Sequence, residues 1–361
     1  MNRITRIAEA LDRDNVDCAL LSSASMMGYA HNFFEGGHER LLLLAIKADG
    51  QCALIAPALS VSQARRHEIE DIRPWSDGED SLDLFKNLCG EWDLRTAVIA
   101  VDPEMRADIL LQLQNSVPSA MFHSADKWIA PLMARKDETE IQKLRKAAQV
   151  VEEVYADILP TIRVGETESQ VAGRLQSMVL SKGAGLNFCI VATGPASAEP
   201  HHLSDERPIR TGDVLLMDFG CELDHYQADI TRVVSMGPAS EQVQAIYSTV
   251  RAAHNNAVDA IRPGVTGAQI DDAARNVIDS KGYGKFFTHR TGHGIGIRGH
   301  ESPNMSPDND QPLEPGHTFS IEPGVYLPGD FGIRLENIYG CGEAGPLKIN
   351  ESQFEERILE L

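Results

Sequence analysis

Five residues of this 361-residue chain combine a type and a setting that suit metal chemistry: Asp218, Asp229, His293, Glu322 and Glu336. Asp218 lies in a strand-like run whose other members, Val214, Leu215, Leu216, Met217 and Phe219, make both faces apolar. A single ionised carboxylate there would cost many kcal/mol or stay protonated, whereas two facing one another need a cation between them. Asp229 sits on the next run, Tyr226–Val234, and the two aspartates stand almost symmetrically about a turn near Leu223-Asp224. An antiparallel pair places them close across the ladder. The pattern returns downstream: an apolar run ends at Glu322, a loop passes through Pro328-Gly329-Asp330, and a second run carries Glu336, with His293 opening that half. Four carboxylates and an imidazole are ligands enough for two divalent ions sharing bridging oxygens. Each residue alone has an ordinary explanation. A strand Asp commonly pairs with an Arg, Arg334 stands two residues from Glu336, and a lone His is commonly structural. Five together in duplicated apolar strands are not explained that way.

The elements that must position these groups are also duplicated. RVGETESQVAGRLQSMVLSKGAG (163–185) aligns without gaps to RPGVTGAQIDDAARNVIDSKGYG (262–284). Each copy predicts a loop, a helix N-capped by Thr167 or Thr266, and a glycine stop. A duplicated unit implies a pseudo-two-fold domain with its site between the halves. Upstream, residues 3–14 have helical periodicity, DCALLSS reads as a strand, RLLLLAIKADGQCALIAPAL as a hairpin about Ala48-Asp49-Gly50, and RTAVIAVDPE as a further strand. This mixed α/β pattern runs to about residue 130, ahead of the charged helical stretch RKDETEIQKLRKAAQVVEEVYADIL. The expected domains are 1–130 and 131–361.

Two motif matches are set aside on context. Gly294, Gly296 and Gly299 spell the G-x-G-x-x-G of dinucleotide-binding loops, but Pro303, Pro307, Pro312 and Pro315 follow, so no helix can run on to receive a pyrophosphate. Asp218-Phe219-Gly220 matches a kinase magnesium motif without the catalytic loop or the lysine strand that accompany it. The totals narrow the class further. A net charge of −20 and the lack of a basic stripe argue against nucleic acid or an anionic membrane as partner. No run approaches the roughly 18 apolar residues of a membrane span, and the N-terminus has no signal-peptide core, so a cytoplasmic protein is expected. Six scattered cysteines, without a CxxC, read as buried reduced thiols, with Cys221 on the strand face opposite Asp218.

The set Asp218, Asp229, His293 in GHGIG, Glu322 in IEPGVY and Glu336 in RLEN resembles the pita-bread metallopeptidases, and among them the prolidases and aminopeptidase P. The resemblance covers about residues 139–345, and the N-terminal half is similar to the creatinase/prolidase N-terminal domain through GYAHNFFEGGHERLLLL and the hairpin after it. It implies an α/β N-terminal domain followed by an α+β pita-bread catalytic domain with a pseudo-two-fold repeat. Asp218 would chelate one metal, His293 and Glu322 the other, and Asp229 and Glu336 would bridge both. Two divalent ions are implied, with manganese or cobalt favoured by the carboxylates and zinc or iron as alternatives. The implied reaction is hydrolysis of the Xaa-Pro bond at the N-terminus of dipeptides or short peptides by a metal-bridged hydroxide. The resemblance further implies that Glu322 passes the proton to the leaving nitrogen and that His300 donates to the oxyanion. His201 and Tyr326 would lie near the substrate, and Arg334 matches an arginine of the proline-specific members. A homodimer is implied.

Two departures stand out. Arg298-Gly299 replaces an acidic and a β-branched residue found in many relatives, and Asn304 stands where dipeptide-trimming prolidases often carry an arginine. A dipeptidase needs a cation for the substrate's free carboxylate; Arg298 is the residue expected to supply it, or else lies on the surface. A methionine aminopeptidase would need neither the large N-terminal half nor Arg334, and creatinase-like relatives work without the five ligands. A hydrolase of a small non-peptide amide and a non-catalytic peptide-binding protein of the same fold remain open.

Overall fold

Helix α1 (Arg3–Arg13) buries Ile4, Ile7 and Leu11 on one face, and the Asn2 side chain caps it by accepting the Ile4 N–H at 3.1 Å. In this computed structural model, which describes residues 2–361, there follow β1 (Cys18–Leu21), α2 (Ala24–His31), β2 (Leu43–Lys47), β3 (Cys52–Pro57), α3 (Val61–Arg66), β4 (Ile72–Trp75), α4 (Ser81–Glu91), β5 (Val98–Val101), α5 (Ala107–Ser116), β6 (Met121–Ser124) and α6 (Asp126–Ala134). The six strands form one mixed sheet in the order β4-β3-β2-β1-β5-β6. The β2–β3 hairpin turns at Ala48-Asp49-Gly50 as its residues predict. β1 is buried at all four positions, as its unbroken apolar run requires of a central strand. One core packs Leu20, Leu43, Ile55 and Ile99 against Phe85, Leu88 and Leu113. Arg40 is engaged by Asp77 and Glu39 on the surface of this part.

The chain divides at Met133/Ala134 into two compact units, and the second holds all five carboxylate and imidazole candidates. It opens with α7 (Glu138–Ile158), begun by a reciprocal capping box of Asp137 and Glu140. Then come α8 (Glu168–Ser181), β7 (Gly185–Thr193), β8 (Val214–Leu223), β9 (Tyr226–Ser235), α9 (Glu241–Ala260), α10 (Gly267–Ser280), β10 (Gly292–Gly294), β11 (Glu301–Met305), β12 (Thr318–Ile321), β13 (Gly324–Leu327), β14 (Phe331–Arg334), β15 (Asn337–Cys341), β16 (Pro346–Lys348) and β17 (Leu359–Glu360). One sheet runs β17-β9-β8-β7, another β11-β10-β12-β15-β16, with β13–β14 as a separate ribbon. Helix α7 packs on β8 and β9, where Tyr226 Oη donates to Glu140 Oε1 at 2.9 Å and the Cys221 thiol faces the Ala147 carbonyl. Helices α9 and α10 cover the second sheet and the β13–β14 ribbon through Val250, Ile270, Ala274, Phe319 and Ile333.

The two repeats fold alike. Thr167 with Gln170, and Thr266 with Gln269, each form a complete capping box. Gly165 and Gly264 both take left-handed backbone, and their N–H groups donate at 2.8 Å to Ile209 and Leu313. Each repeat helix also buries one carboxylate against the backbone N–H of a threonine near the site: Glu168 accepts from Thr193 at 2.7 Å, and Asp271 from Thr291 at 2.9 Å.

Candidate metal centre

Strands β8 and β9 set the first pair of carboxylates. Their turn is Asp224-His225, with both residues at positive φ, the two-residue form that matches strand twist and lies one position beyond the sequence expectation. The register pairs Asp218 with Thr231 and Gly220 with Asp229, so the aspartates are diagonal neighbours on one face rather than direct partners. Cys221 falls on the other face, and burial pushes its thiol up to about 12.

The second pair is built differently from the sequence expectation. Glu322 and Glu336 lie not within paired strands but in a gap between two ladder segments. Ile321 pairs with Asn337 on one side of the gap and Gly324 with Arg334 on the other. Pro323 has no N–H to offer between them. The freed backbone turns to other partners: the Glu322 N–H donates to Thr291 at 2.8 Å and the Glu336 N–H to Thr231 at 3.2 Å. Both side chains are thereby aimed at the β8–β9 pair. His293 lies on β10 beside them. Its flanking glycine is required by backbone packing rather than by room for substrate, since a Cβ on Gly292 would run into the Ser320 carbonyl.

Ligand atoms of Asp218, Asp229 and Glu336 lie within 4.8 Å of one another, and so do those of His293, Glu322 and Glu336. The two groups share Glu336. One oxygen of most carboxylates is already held: Asp218 Oδ2 by Arg334 Nη2, Glu336 Oε2 by the Thr231 hydroxyl at 2.8 Å, and Glu322 Oε1 by the Ser320 hydroxyl at 3.0 Å. Asp218 Oδ1, Asp229 Oδ1 and Glu336 Oε1 are buried without a hydrogen-bond partner. His293 Nδ1–H donates to the Gly294 carbonyl at 3.0 Å, which leaves its Nε2 lone pair facing Glu322 Oε1 at 3.4 Å and Asp229 Oδ2 at 3.8 Å. Burial and its neighbour His300 lower that imidazole to about 3, so it is neutral and free to act as a ligand. Lone pairs facing lone pairs in a buried cluster are a donor set for cations. Burial, then Glu336, Asp218 and Glu322, push the Asp229 carboxyl well above the usual range; burial, then Glu322 and Asp218, do the same to Glu336. Burial raises Glu322 to about 7, with Arg334 opposing and Asp218 adding to the rise. The residues fit divalent metal.

Arg334, considered in sequence beside Glu336, pairs instead with Asp218. Its Nε–H donates to Thr231 Oγ1 at 3.0 Å and its Nη1 to Tyr326 Oη at 2.8 Å. Tyr326 in turn donates to His289 Nε2 at 2.7 Å, since His289 Nδ1–H is committed to the Arg290 carbonyl. Tyr326 therefore stands behind Arg334 and is not among the residues lining the cavity above the carboxylates.

That cavity has a volume of about 980 Å³. His201 and His300 line it, together with Phe188, Ile190, His289 and Arg290. The His300 ring stacks on His293 with centroids 3.8 Å apart, and its Nδ1 accepts from Arg290 Nη2 at 3.4 Å. A guanidinium can only donate, so the neutral His300 keeps its proton on Nε2. Burial, Arg290 and His201 lower its pKa. The loop bearing His201 is tied down by His202, whose Nε2–H donates to buried Glu168 at 2.7 Å. Arg298 does not line the cavity; its N–H donates to Glu301, a residue paired with buried Lys136. Asn304 accepts from Arg290 Nη1 at 2.9 Å. Sequence reasoning missed Arg290 and His289. The one available signal was a cation three residues before His293 in a strongly acidic chain, and nothing in its spacing says which way a loop side chain points.

Residues 142–343 match metallopeptidase family M24, and residues 3–132 match the creatinase/prolidase N-terminal domain. A Mycobacterium bovis protein named probable dipeptidase PepE is 35% identical over 323 residues, covering 88% of this chain and 85% of that protein. The crystal structure of a prolidase from Thermococcus sibiricus superposes with a TM-score of 0.94 at 32% identity, covering 99% of this chain and 98% of that one. An X-Pro aminopeptidase from Thermotoga maritima gives 0.85 at 32% identity over the whole of both chains. With its buried cluster of acidic and imidazole ligands, the chain belongs to metallopeptidase family M24 and is a metallo-hydrolase with a creatinase/prolidase N-terminal domain.

Proposed function

We propose that this chain is a dinuclear-metal peptidase that cleaves the bond between a free N-terminal residue and proline. The observation that carries the reading is the pair of ligand groups sharing Glu336, with three unpartnered carboxylate oxygens, on the wall of a cavity also lined by His201 and His300. Asp218, Asp229, His293, Glu322 and Glu336 would hold the metals, for which the carboxylate-rich set favours manganese or cobalt. When bound, two such cations supply Lewis acidity and a water activated at neutral pH.

The chain's own residues do the rest. His300 presents Nε2–H as a donor for the carbonyl oxygen as it gains charge. Ser320 occupies Glu322 Oε1, so Oε2 is the atom from which Glu322 hands a proton to the proline nitrogen. Arg334 and Thr231 hold Asp218 and Glu336 in place. Acidic groups suit the substrate's α-ammonium, and Phe188 and Ile190 offer an apolar wall. The relatives named prolidase and X-Pro aminopeptidase support an Xaa-Pro substrate.

The test compares rates on Ala-Pro, Ala-Pro-Ala and Met-Ala-Ala with manganese added. Either proline peptide should be the best substrate, and a preference for Met-Ala-Ala would overturn proline specificity. Asp229→Ala should abolish turnover and reduce bound metal; a folded, fully active variant would remove the bridging role.

A further inference from the structure

The cavity holds one cation that the cluster does not use. Arg334 also lines it, but Asp218, Thr231 and Tyr326 occupy that guanidinium, and it is buried. Arg290 is half-buried, and its recorded partners are neutral: the Asn304 side-chain carbonyl and His300 Nδ1. Among the described residues, no carboxylate pairs with it. A partly desolvated guanidinium with spare N–H groups facing a cavity is suited to a planar anion, and a carboxylate accepts two parallel bonds from it.

Its position selects which carboxylate. Arg290 meets the His300 ring at Nδ1, and the face of that ring stacks on His293. One imidazole therefore separates the guanidinium from the ligand cluster. That is about the length of one residue, as successive Cα atoms lie about 3.8 Å apart. A group one residue beyond the scissile carbonyl is, in a dipeptide, its own C-terminal carboxylate.

We infer that Arg290 receives the free C-terminal carboxylate of a dipeptide substrate, which makes this cavity a dipeptidase site. This rests on the Xaa-Pro reading above and assigns its substrate length. In a longer peptide or an amide that position carries a neutral carbonyl, and the guanidinium loses its ion pair.

The test measures kcat/KM on Ala-Pro and on its C-terminal amide, for the wild-type manganese-loaded enzyme and for Arg290→Met and Arg290→Lys. The wild type should prefer the free acid by roughly 30- to 100-fold, the scale of a charge-assisted bidentate contact. In R290M the two rates should converge within a few-fold: any loss through His300 falls on both substrates alike, and the acid alone also loses the carboxylate contact. R290K should keep part of the preference, because it retains charge without the fork. A wild type indifferent to the carboxylate would overturn the assignment. So would an equal loss on both substrates in an R290M protein of unchanged melting temperature, since Arg290 would then act only by orienting His300. If R290M melts early, R290K carries the same comparison. If the wild type cleaves neither substrate, the Xaa-Pro reading fails. Calorimetric titration with L-proline and with prolinamide then reads Arg290 directly: wild-type binding that favours proline and is lost in R290M supports it, and equal binding of the two overturns it.

Discussion

At the scale of single residues, the centre depends on groups that fix one oxygen of Asp218, Glu322 and Glu336, while the second oxygens of Asp218 and Glu336 stay bare. Thr231 is the hub of that arrangement. Its hydroxyl donates to Glu336 Oε2 and accepts from Nε of Arg334, whose Nη2 grips Asp218. Thr231→Val keeps the shape and removes both bonds. Glu336 and Arg334 would then be free to reorient, although no ligand has been changed. Loss of such supporting bonds costs metal sites about 10- to 100-fold in affinity. Competition with a coloured chelator should show that drop for Thr231→Val, while the folded far-ultraviolet spectrum persists. Undiminished affinity would mean that the carboxylates are positioned by packing alone. His300 belongs to the same scale. With Arg290 fixing its Nε2–H as the donor, His300→Phe should reduce kcat by about 10²- to 10³-fold with metal content unchanged.

At the scale of elements, the duplicated helices are the frame on which both halves hang. Thr266 caps α10 with Gln269, and Asp271 one turn later holds the Thr291 backbone two residues before His293. Thr266→Ala should cost about 1 kcal/mol and lower the melting temperature by roughly 2–4 °C. Thr167→Ala should cost a similar amount, and because the two caps share no partners the double variant should lose the sum. A loss far from the sum would show the two halves to be coupled through their caps. These caps and the β8–β9 hairpin were legible in the sequence because capping and alternation are local physics. The geometry around Glu322 and Glu336 was only half legible. Their symmetry about a turn was visible, but the gap that aims them arises from Pro323 and from bonds to Thr291 and Thr231, which are distant in the chain. Arg298 and Arg290 show the same limit: both are loop cations near His293, and only the fold decides that Arg290 enters the cavity.

At the scale of the whole molecule, the buried acids tie stability to pH and to metal. The Glu322 carboxyl rises from 4.5 to about 7, chiefly through burial, and Asp229 and Glu336 move in the same direction. A raised carboxyl means that the folded chain binds more protons than the unfolded one. Stability is therefore highest below the unfolded value and is lost as pH rises through the folded value. For Glu322 alone the loss between about pH 4.5 and 7 is roughly 3 kcal/mol, taking about 1.4 kcal/mol for each pKa unit. The net charge of −20 acts in the same direction, so a control is needed. Chelator-treated protein should melt at a lower temperature at pH 7.5 than at pH 5, and Glu322→Gln should show a shallower decline. Manganese should reverse the trend, because ligands freed of protons bind the cation more tightly at higher pH and binding to the folded state stabilises it. A chelated protein whose melting temperature is flat or rises between pH 5 and 7.5 would mean that the acids already have partners in the folded chain. The requirement for cations would then no longer follow from the buried cluster.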